Sequence, residues 1–448
     1  MSVTRSPHED ENEDLFSPRP AVLEGGFVYT PIVHYFSVEN QPAKEEFESK
    51  VIQPLRQAVQ ALEYTSHFMT VSHAGYEMST AVPVVLVVAK NLTEEDARHI
   101  IAVFDALSCD FINRCLCFSE ETGTQVTSRR LQDYQRLPEL GSSIGTKGGD
   151  SSFSLGLYFH FKDDPSTHYA VSAHHGLSRS YESMDSSNPI EVQQPSYPDY
   201  EDSFKEIETG LAEAREGGNL RNKISVKDWE EDLNLLKEQK YDFAIAEHSE
   251  CKTTTHDGRT IWVDWVVMKV DPARLGSNLI TYPVGENVRR WYPRDGIRMF
   301  VVGSGEIRTG MRVVKAGRNS NATVGSVDFV HGHVQFEDTP LETQEYTIVA
   351  ESYENVFSNK GDSGAGVIDE EGRICGFVLG GTRGAPCHLK GHEALGPLYA
   401  SYITPFSAIK QRIESITGRE VIVDLVDLAE LERNGVDIIR GYRRRDGK

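Results

Sequence analysis

The sequence predicts a multidomain α+β protein, with a small α/β unit over 27–137 and a strand-rich body over 138–418. Two textures carry that division. The first unit combines a helical hydrophobic period with a continuous apolar run. The body is a series of short apolar runs punctuated by Gly, Asn, Asp and Pro, the pattern of a β-barrel or sandwich. A third observation adds an insertion: about 178–240 is acidic and helix-prone, unlike the β-rich sequence on either side.

In chain order, residues 1–26 hold acidic residues, prolines and few large apolar side chains, and are expected to be disordered. "FVYTPIVHYFSV" reads as a strand. In "AKEEFESKVIQPLRQAVQAL", Phe47, Val51, Leu55, Val59 and Leu62 recur at helical steps, with Pro54 as a kink. "AVPVVLVVAKN" suits a buried strand. Thr93 is placed to cap the next helix, with Glu94, Glu95 and Asp96 in its first turn, and "NRCLCFSEE" closes the unit. The texture changes at "LPELGSSIGTKGGD". Strand-like runs follow, among them "SFSLGLYFHF", "THYAVSA", "TIWVDWVVMKV", "MRVVKAG", "VDFVHGHVQF", "EYTIVAES" and "LYASYITP". The insertion reads as a Pro/Ser/Tyr loop, "NPIEVQQPSYPDYED", and two helices. "FSAIKQRIESITG" is a terminal helix, and 419–448 a tail.

Composition narrows the function. A hydrophobic share of 39% and a charged share of 25% are those of a globular chain. A formal net charge of -22 argues against nucleic acid, whose phosphates need a basic footprint. No apolar stretch is long enough to span a bilayer, and the polar N-terminus is no secretory signal. The six cysteines, Cys109, Cys115, Cys117, Cys251, Cys375 and Cys387, lack paired spacing, so free thiols in an intracellular, cytoplasmic compartment are expected.

One short segment stands out for chemistry: "NKGDSGAGV", with Ser363 between Asp362 and Gly364. A serine hydroxyl needs a base to take its proton and preorganised donors for the developing oxyanion. Glycines around it allow a tight turn that aims the N–H groups of Gly361 and Ser363 into one concavity. The α/β-hydrolase elbow G-x-S-x-G fails here because Ala365 replaces the second glycine and a strand follows. Gly149-Asp150-Ser151-Ser152 is a near decoy, read as a loop. For the base, "YAVSAHHGLS" offers His174 and His175. For the acid, "KYDFAIAEH" offers Asp242 and "TIWVDWVVMKVDP" offers Asp264, which leads one strand face with Val266, Met268 and Val270. A carboxylate on an inward face needs hydrogen bonds, as a triad acid has them.

"VSAHHG", "DWVVMKV" and "GDSGAGV…CGFVLGG", in that order, resemble the three catalytic blocks of chymotrypsin-like (trypsin-fold) serine proteases, and the likeness spans roughly 140–415. "VVKAGRNSNATVGSV" resembles the block that often precedes the serine. The chain is most similar to the intracellular trypsin-like peptidase domains common in fungal proteins. The resemblance implies a chymotrypsin-like double β-barrel, with His175 as base, Asp264 as acid, Ser363 as nucleophile and the amides of Gly361 and Ser363 as oxyanion donors. His174 and Asp242 are then the secondary candidates. The helical insertion accounts for the long interval between His175 and Asp264.

The sequence departs from the family pattern at two points. Gly176 stands where a cysteine is usual, and about 140 residues precede the domain with no activation site, so Asp362 has no freshly cut N-terminus to pair with. Phe357, six positions before the serine, marks the base of the specificity pocket and "VLGG", 378–381, its wall; neither brings a charge, which suits a small or apolar substrate side chain. The expected activity is serine endopeptidase. A catalytically silent protease-fold module and, more weakly, an esterase are the alternatives. The expected partner is a protein or peptide substrate, with a second protein partner or a regulatory role for the N-terminal unit; neither nucleic acid nor membrane is expected. No cofactor is implied. His331 and His333 share a strand face without a completing ligand, so no metal is expected there. The acidic run 201–216 reads as a solvated face, or as a lid over the site.

Overall fold

The computed structural model describes residues 21–22, 28–29, 34–36, 40–64, 66–75, 81–120, 132–177, 184–185, 187–216, 220–281, 298–337, 341–349, 356–382 and 398–424. Ala21–Val22 pairs with Val28–Tyr29, so the expected disordered lead-in ends in a strand; the rest of 1–26 lies outside the described residues. The expected first strand is divided between Val28–Tyr29 and His34–Phe36.

The first helical run consists of α1 (Gln41–Glu46), a π turn (Phe47–Val51) and α2 (Ile52–Ala61). Asn40 caps it, its side chain accepting from the Ala43 N–H at 3.1 Å. The kink expected at Pro54 takes the form of that π turn, immediately upstream of the residue that cannot donate to the helical ladder. Then come β1 (His67–Gly75), β2 (Val82–Lys90), α3 (Glu94–Asp105) and β3 (Arg114–Glu120). Strand β2 runs antiparallel to β1 and parallel to β3, with α3 as the crossover. Thr93 caps α3 as expected, accepting from the Asp96 N–H at 3.2 Å.

This small sheet is buried on both faces, which is why β2 reads as an unbroken apolar run. On one face Met69, Val85, Val87 and Cys117 pack beneath Phe47, Leu55, Ile100 and Phe104. On the other, Phe68, Leu86, Val88 and Phe118 meet Trp262, Leu379, Leu398 and Tyr402 of the body. Each large apolar side chain buried there contributes about 1.5–3 kcal/mol.

The body's first sheet contains β4 (Leu157–Phe161), β5 (Asp164–Ser172), β6 (Ile190–Gln193), β7 (Asp242–His256) and β8 (Arg259–Val270). The insertion forms α4 (Tyr197–Glu216) and α5 (Leu220–Glu238), with Gly210 of α4 against the Trp229 indole of α5. Part of the expected loop before them is ordered: β6 lies inside it, and α4 begins at Tyr197, with Pro198 in the first turn that tolerates it.

The second sheet contains β9 (Arg312–Gly317), β10 (Asn321–Ser326), β11 (Gly332–Gln335), β12 (Thr343–Val349), β13 (Gly366–Asp369), β14 (Arg373–Gly381) and β15 (Ala400–Pro405). Its order is β10-β9-β13-β14-β15-β12-β11-β1-β2-β3, so the N-terminal strands extend it directly, through pairs such as His333 with Met69. Helix α6 (Phe406–Thr417) stops at Gly418, which adopts the left-handed φ of 68°. The chain then returns as β16 (Val421–Val423) to pair with β4, so the start of the expected tail is a sheet strand; 425–448 lie outside the described residues.

The first sheet has the order β16-β4-β5-β8-β7-β6, continued by Ser143–Thr146 and Phe153–Ser154. Two barrels are expected; among the described residues neither sheet closes on itself. Between the sheets, Phe153, Tyr158, Trp265 and Met268 pack with Ile374 and Phe377 and with Phe406 and Ile409 of α6. No helix among the described residues is long and apolar enough to cross a membrane.

Candidate active site

Strand β5 pairs antiparallel with β8, with Ser172 opposite Val266. Two residues further along each strand, the register sets Asp264 beneath the 3-10 turn His174–Gly176. Asp264 is 5% exposed and satisfied on both oxygens. Oδ1 accepts the N–H of His174 at 2.6 Å and of His175 at 3.1 Å, and Oδ2 is hydrogen-bonded to His175 Nδ1. Burial by itself raises the Asp264 carboxyl, but the His175 charge and hydrogen bonds outweigh it and hold the group below the usual range. Burial likewise depresses the His175 ring, and the Asp264 carboxylate reverses the direction, so its affinity for a proton is raised. The imidazole stays 40% exposed.

The competing residues sit elsewhere. His174 is buried, its Nδ1 2.8 Å from Ser249 Oγ. Asp242 opens β7 on the surface, where it pairs with Lys147 at 2.8 Å. Thus the structure brings Asp264, not Asp242, to His175. Ser151 in the decoy loop donates to the Gly176 carbonyl at 2.5 Å. Gly176 itself leaves no room for the cysteine of the family pattern: a Cβ there would stand 2.3 Å from Cγ of Phe153.

Ser363 lies on the turn that leads into β13. Gly364 has φ +82°, and a Cβ on it would meet Ser172 Oγ at 2.1 Å and the Ala173 nitrogen at 2.7 Å. Only a glycine lets this loop rest on the end of β5, two residues before His175. Within the loop, Asp362 N–H donates to Asn359 O (2.9 Å), Gly364 N–H to Val378 O (2.8 Å) and Ala365 N–H to Asp362 O (3.0 Å). The N–H groups of Gly361 and Ser363 donate no hydrogen bond among the described residues. Ser363 Oγ donates to the Leu379 carbonyl at 3.5 Å, and it forms no hydrogen bond with His175.

Asp362 has a full set of partners. It is 0% exposed, and so is Lys315 of β9, whose Nζ lies 3.0 Å from Oδ2. Oδ2 also accepts from Asn359 N–H (2.8 Å) and Ser320 Oγ; Oδ1 accepts from Asn319 N–H (2.8 Å) and Ser320 N–H (3.3 Å). Burial lowers the Lys315 ammonium from its ordinary value, against the pull of Asp362. Lys315 also stands over the Phe357 ring, 5.7 Å from its centroid. Phe357 is buried in the core of the second sheet beside Val378.

Sequence reasoning passed over Lys315, although the signal is there: a lysine between apolar residues of "RVVKAG" falls on a strand whose neighbours are all buried. It also passed over Arg318, which forms a bidentate pair with buried Asp199 in the first turn of α4, 2.6 Å from Nε to Oδ2. That pair fixes the insertion beside Gly361. His333 binds Glu342 at 2.8 Å, and burial pushes the His331 ring down to about 3.

No family model matches the chain, and no curated protein sequence matches it. Solved structures do. The chain is similar to Thermobifida fusca protease A, at 14% identity and a TM-score of 0.32 over 64% of this chain and 98% of that one. It is similar to a Nocardiopsis protease at 12% and 0.32, covering 60% of this chain and 93% of that one. It is likewise similar to a Cellulomonas bogoriensis chymotrypsin at 10% and 0.32, covering 65% of this chain and all of that one.

Proposed function

We propose that the chain is a serine endopeptidase with His175 as base, Asp264 as its orienting acid and Ser363 as nucleophile. The body would be the trypsin-like peptidase domain, with the α/β unit fused to its second sheet. The observation that carries the reading is the buried Asp264 carboxylate binding His175 Nδ1, on the turn that follows the end of β5, where the Ser363 loop is seated. Asp264 fixes the tautomer with the proton on Nδ1, leaving Nε2 to act as base. Ser363 Oγ attacks the scissile carbonyl carbon and its proton passes to His175 Nε2. The carbonyl oxygen becomes an oxyanion held by the uncommitted N–H groups of Gly361 and Ser363. Collapse expels the amine, which takes the proton from His175. Water then repeats the sequence on the acyl-enzyme and restores Ser363.

One observation favours a second reading. Ser363 Oγ bonds the Leu379 carbonyl rather than His175, as in a silent module. Apo sites of active enzymes often tighten this contact only with substrate bound. A fluorophosphonate probe decides: an active site labels at Ser363 and the label vanishes in Ser363→Ala. A folded wild-type chain that never labels is the silent module. Peptide against ester turnover then separates peptidase from esterase. The five described cysteines are all free, which supports an intracellular setting.

A further inference from the structure

At the edge of the first sheet, three strands converge on a group that the proposed chemistry does not use. His160 of β4 and His168 of β5 are direct cross-strand partners, and Asp424 follows β16 on the other side of β4. His160 Nδ1 lies 2.5 Å from Asp424 Oδ1, and His168 Nδ1 lies 2.8 Å from Asp424 Oδ2. We infer that His160, His168 and Asp424 form a binding site for a divalent transition metal of the zinc class.

Three features support this. The donor set, two imidazoles and a carboxylate, is one that zinc accepts, with a fourth position left for water. The ligand atoms all lie within 4.8 Å of one another. A tetrahedral zinc with bonds of about 2.0–2.1 Å needs its ligands about 3.3 Å apart, so no pair of ligand atoms has to shift by more than about 1.5 Å to complete the geometry. The frame is also rigid. The Asp424 N–H donates to the Tyr158 carbonyl at 3.2 Å, and the Asp424 carbonyl accepts from Asn278 Nδ2 at 2.8 Å. Asn278 is 1% exposed and grips the Tyr158 backbone on both sides, through its Oδ1 and Nδ2 at 2.7 Å each.

Access is open as well: the side chains of His160, His168 and Asp424 are 22%, 31% and 17% exposed. Each histidine would bind through Nδ1 as a neutral ring with its proton on Nε2. The metal would clamp β16 across β4 to β5, fastening the end of the described chain to the sheet that carries His175.

The test uses the full chain after dialysis against EDTA. Cobalt(II) titration should give one bound ion with the visible absorption of a tetrahedral site, displaced by zinc, and zinc should raise the thermal midpoint. His160→Gln and Asp424→Asn should each weaken zinc binding by more than about tenfold, the least that loss of even an outer partner of a metal site costs. Ser363→Ala should leave it unchanged. Absence of stoichiometric binding to the wild-type chain overturns the site. So does binding that survives the His160→Gln, His168→Gln double variant. Should the variants fail to fold, the wild-type chain still decides. Zinc must protect His160 and His168 from diethylpyrocarbonate, mapped by mass spectrometry, and equal modification with and without zinc overturns the inference.

Discussion

Two carboxyl groups, one on the loop before β13 and one in β12, are both 0% exposed, yet they are built in opposite ways. Asp362 receives five donors, one of them the Lys315 ammonium. Glu345 of β12 accepts the Trp262 N–H at 2.7 Å, and its other oxygen, Oε2, is buried without a hydrogen-bond partner. Burial pushes Glu345 up to about 8. Depth alone therefore does not decide what a buried carboxyl is; the donors around it do. Asp362 is an ionic strut under the Ser363 loop, while Glu345 is a neutral acid over much of the physiological range.

Asp264 extends the series, because its donors also position a reactive partner. Asp264→Asn keeps the shape and loses the charge that orients His175. Peptidase turnover should fall by about 10⁴, measured as kcat on a peptide substrate, with the fold intact by circular dichroism. A variant near wild-type activity would remove Asp264 from the proposed chemistry.

Lys315→Met breaks the strut and leaves a buried charge without its cation. Unfolding in urea should show a loss of about 3–5 kcal/mol, and fluorophosphonate labelling of Ser363 should drop with it. Adding Asp362→Asn should return part of the stability. If the single variant is as stable as wild type, Asp362 is held by its neutral donors alone.

Glu345→Gln sharpens the contrast from the other side. The folded value of about 8 stands above the ordinary glutamate value of about 4.3, so between them the folded chain holds a proton that the unfolded chain has released. Stability falls as pH rises through that window. Glutamine retains the acceptor for Trp262 and removes the dependence. The variant should gain on the order of 2–4 kcal/mol at pH 8 and almost nothing near pH 4, read from paired urea curves. Equal differences at both pH values would show that Glu345 does not titrate there.

The smallest effect is a shift in a pH profile. The Asp264 carboxylate raises the proton affinity of His175, so the base appears only above the ordinary histidine value of about 6.5. The rising limb of kcat/KM should lie above that pH and move down in Asp264→Asn. The same pair contributes its full stability between the ordinary aspartate value of about 3.9 and the ordinary histidine value of about 6.5, and loses it as pH rises through the raised His175 value or falls through the lowered Asp264 value.

Much of this was legible in the sequence because local pattern and burial agreed. The apolar run "TIWVDWVV" reads as a strand that carries Asp264 into the interior, though the structure buries both of its faces, and the glycines around Ser363 announce a turn. The helical insertion, the Thr93 cap and α6 follow from ordinary helix signals. Strand β1 did not: "HFMTVSHAG" holds Thr70, Ser72 and His73, polar residues that are buried because this strand is central, a fact known only once β11 lies beside it. Lys315, Arg318 and the insertion's Asp199 escaped for the same reason. Their partners are distant in sequence, and a charge alone reads as surface. The edge strand β16 looked like a tail because three residues carry too little pattern to declare themselves.

The pairing of β1 with β11 has a consequence for how the chain is made. Met69 leaves the ribosome long before His333 does, on the order of ten seconds or more at ordinary elongation rates. Throughout that interval the early sheet presents the edge of β1 and an apolar face, Phe68, Leu86 and Phe118, most of whose cover, Leu379, Leu398 and Tyr402, has yet to be synthesised. The first part to leave the ribosome is thus among the last to have its edge and its apolar face covered.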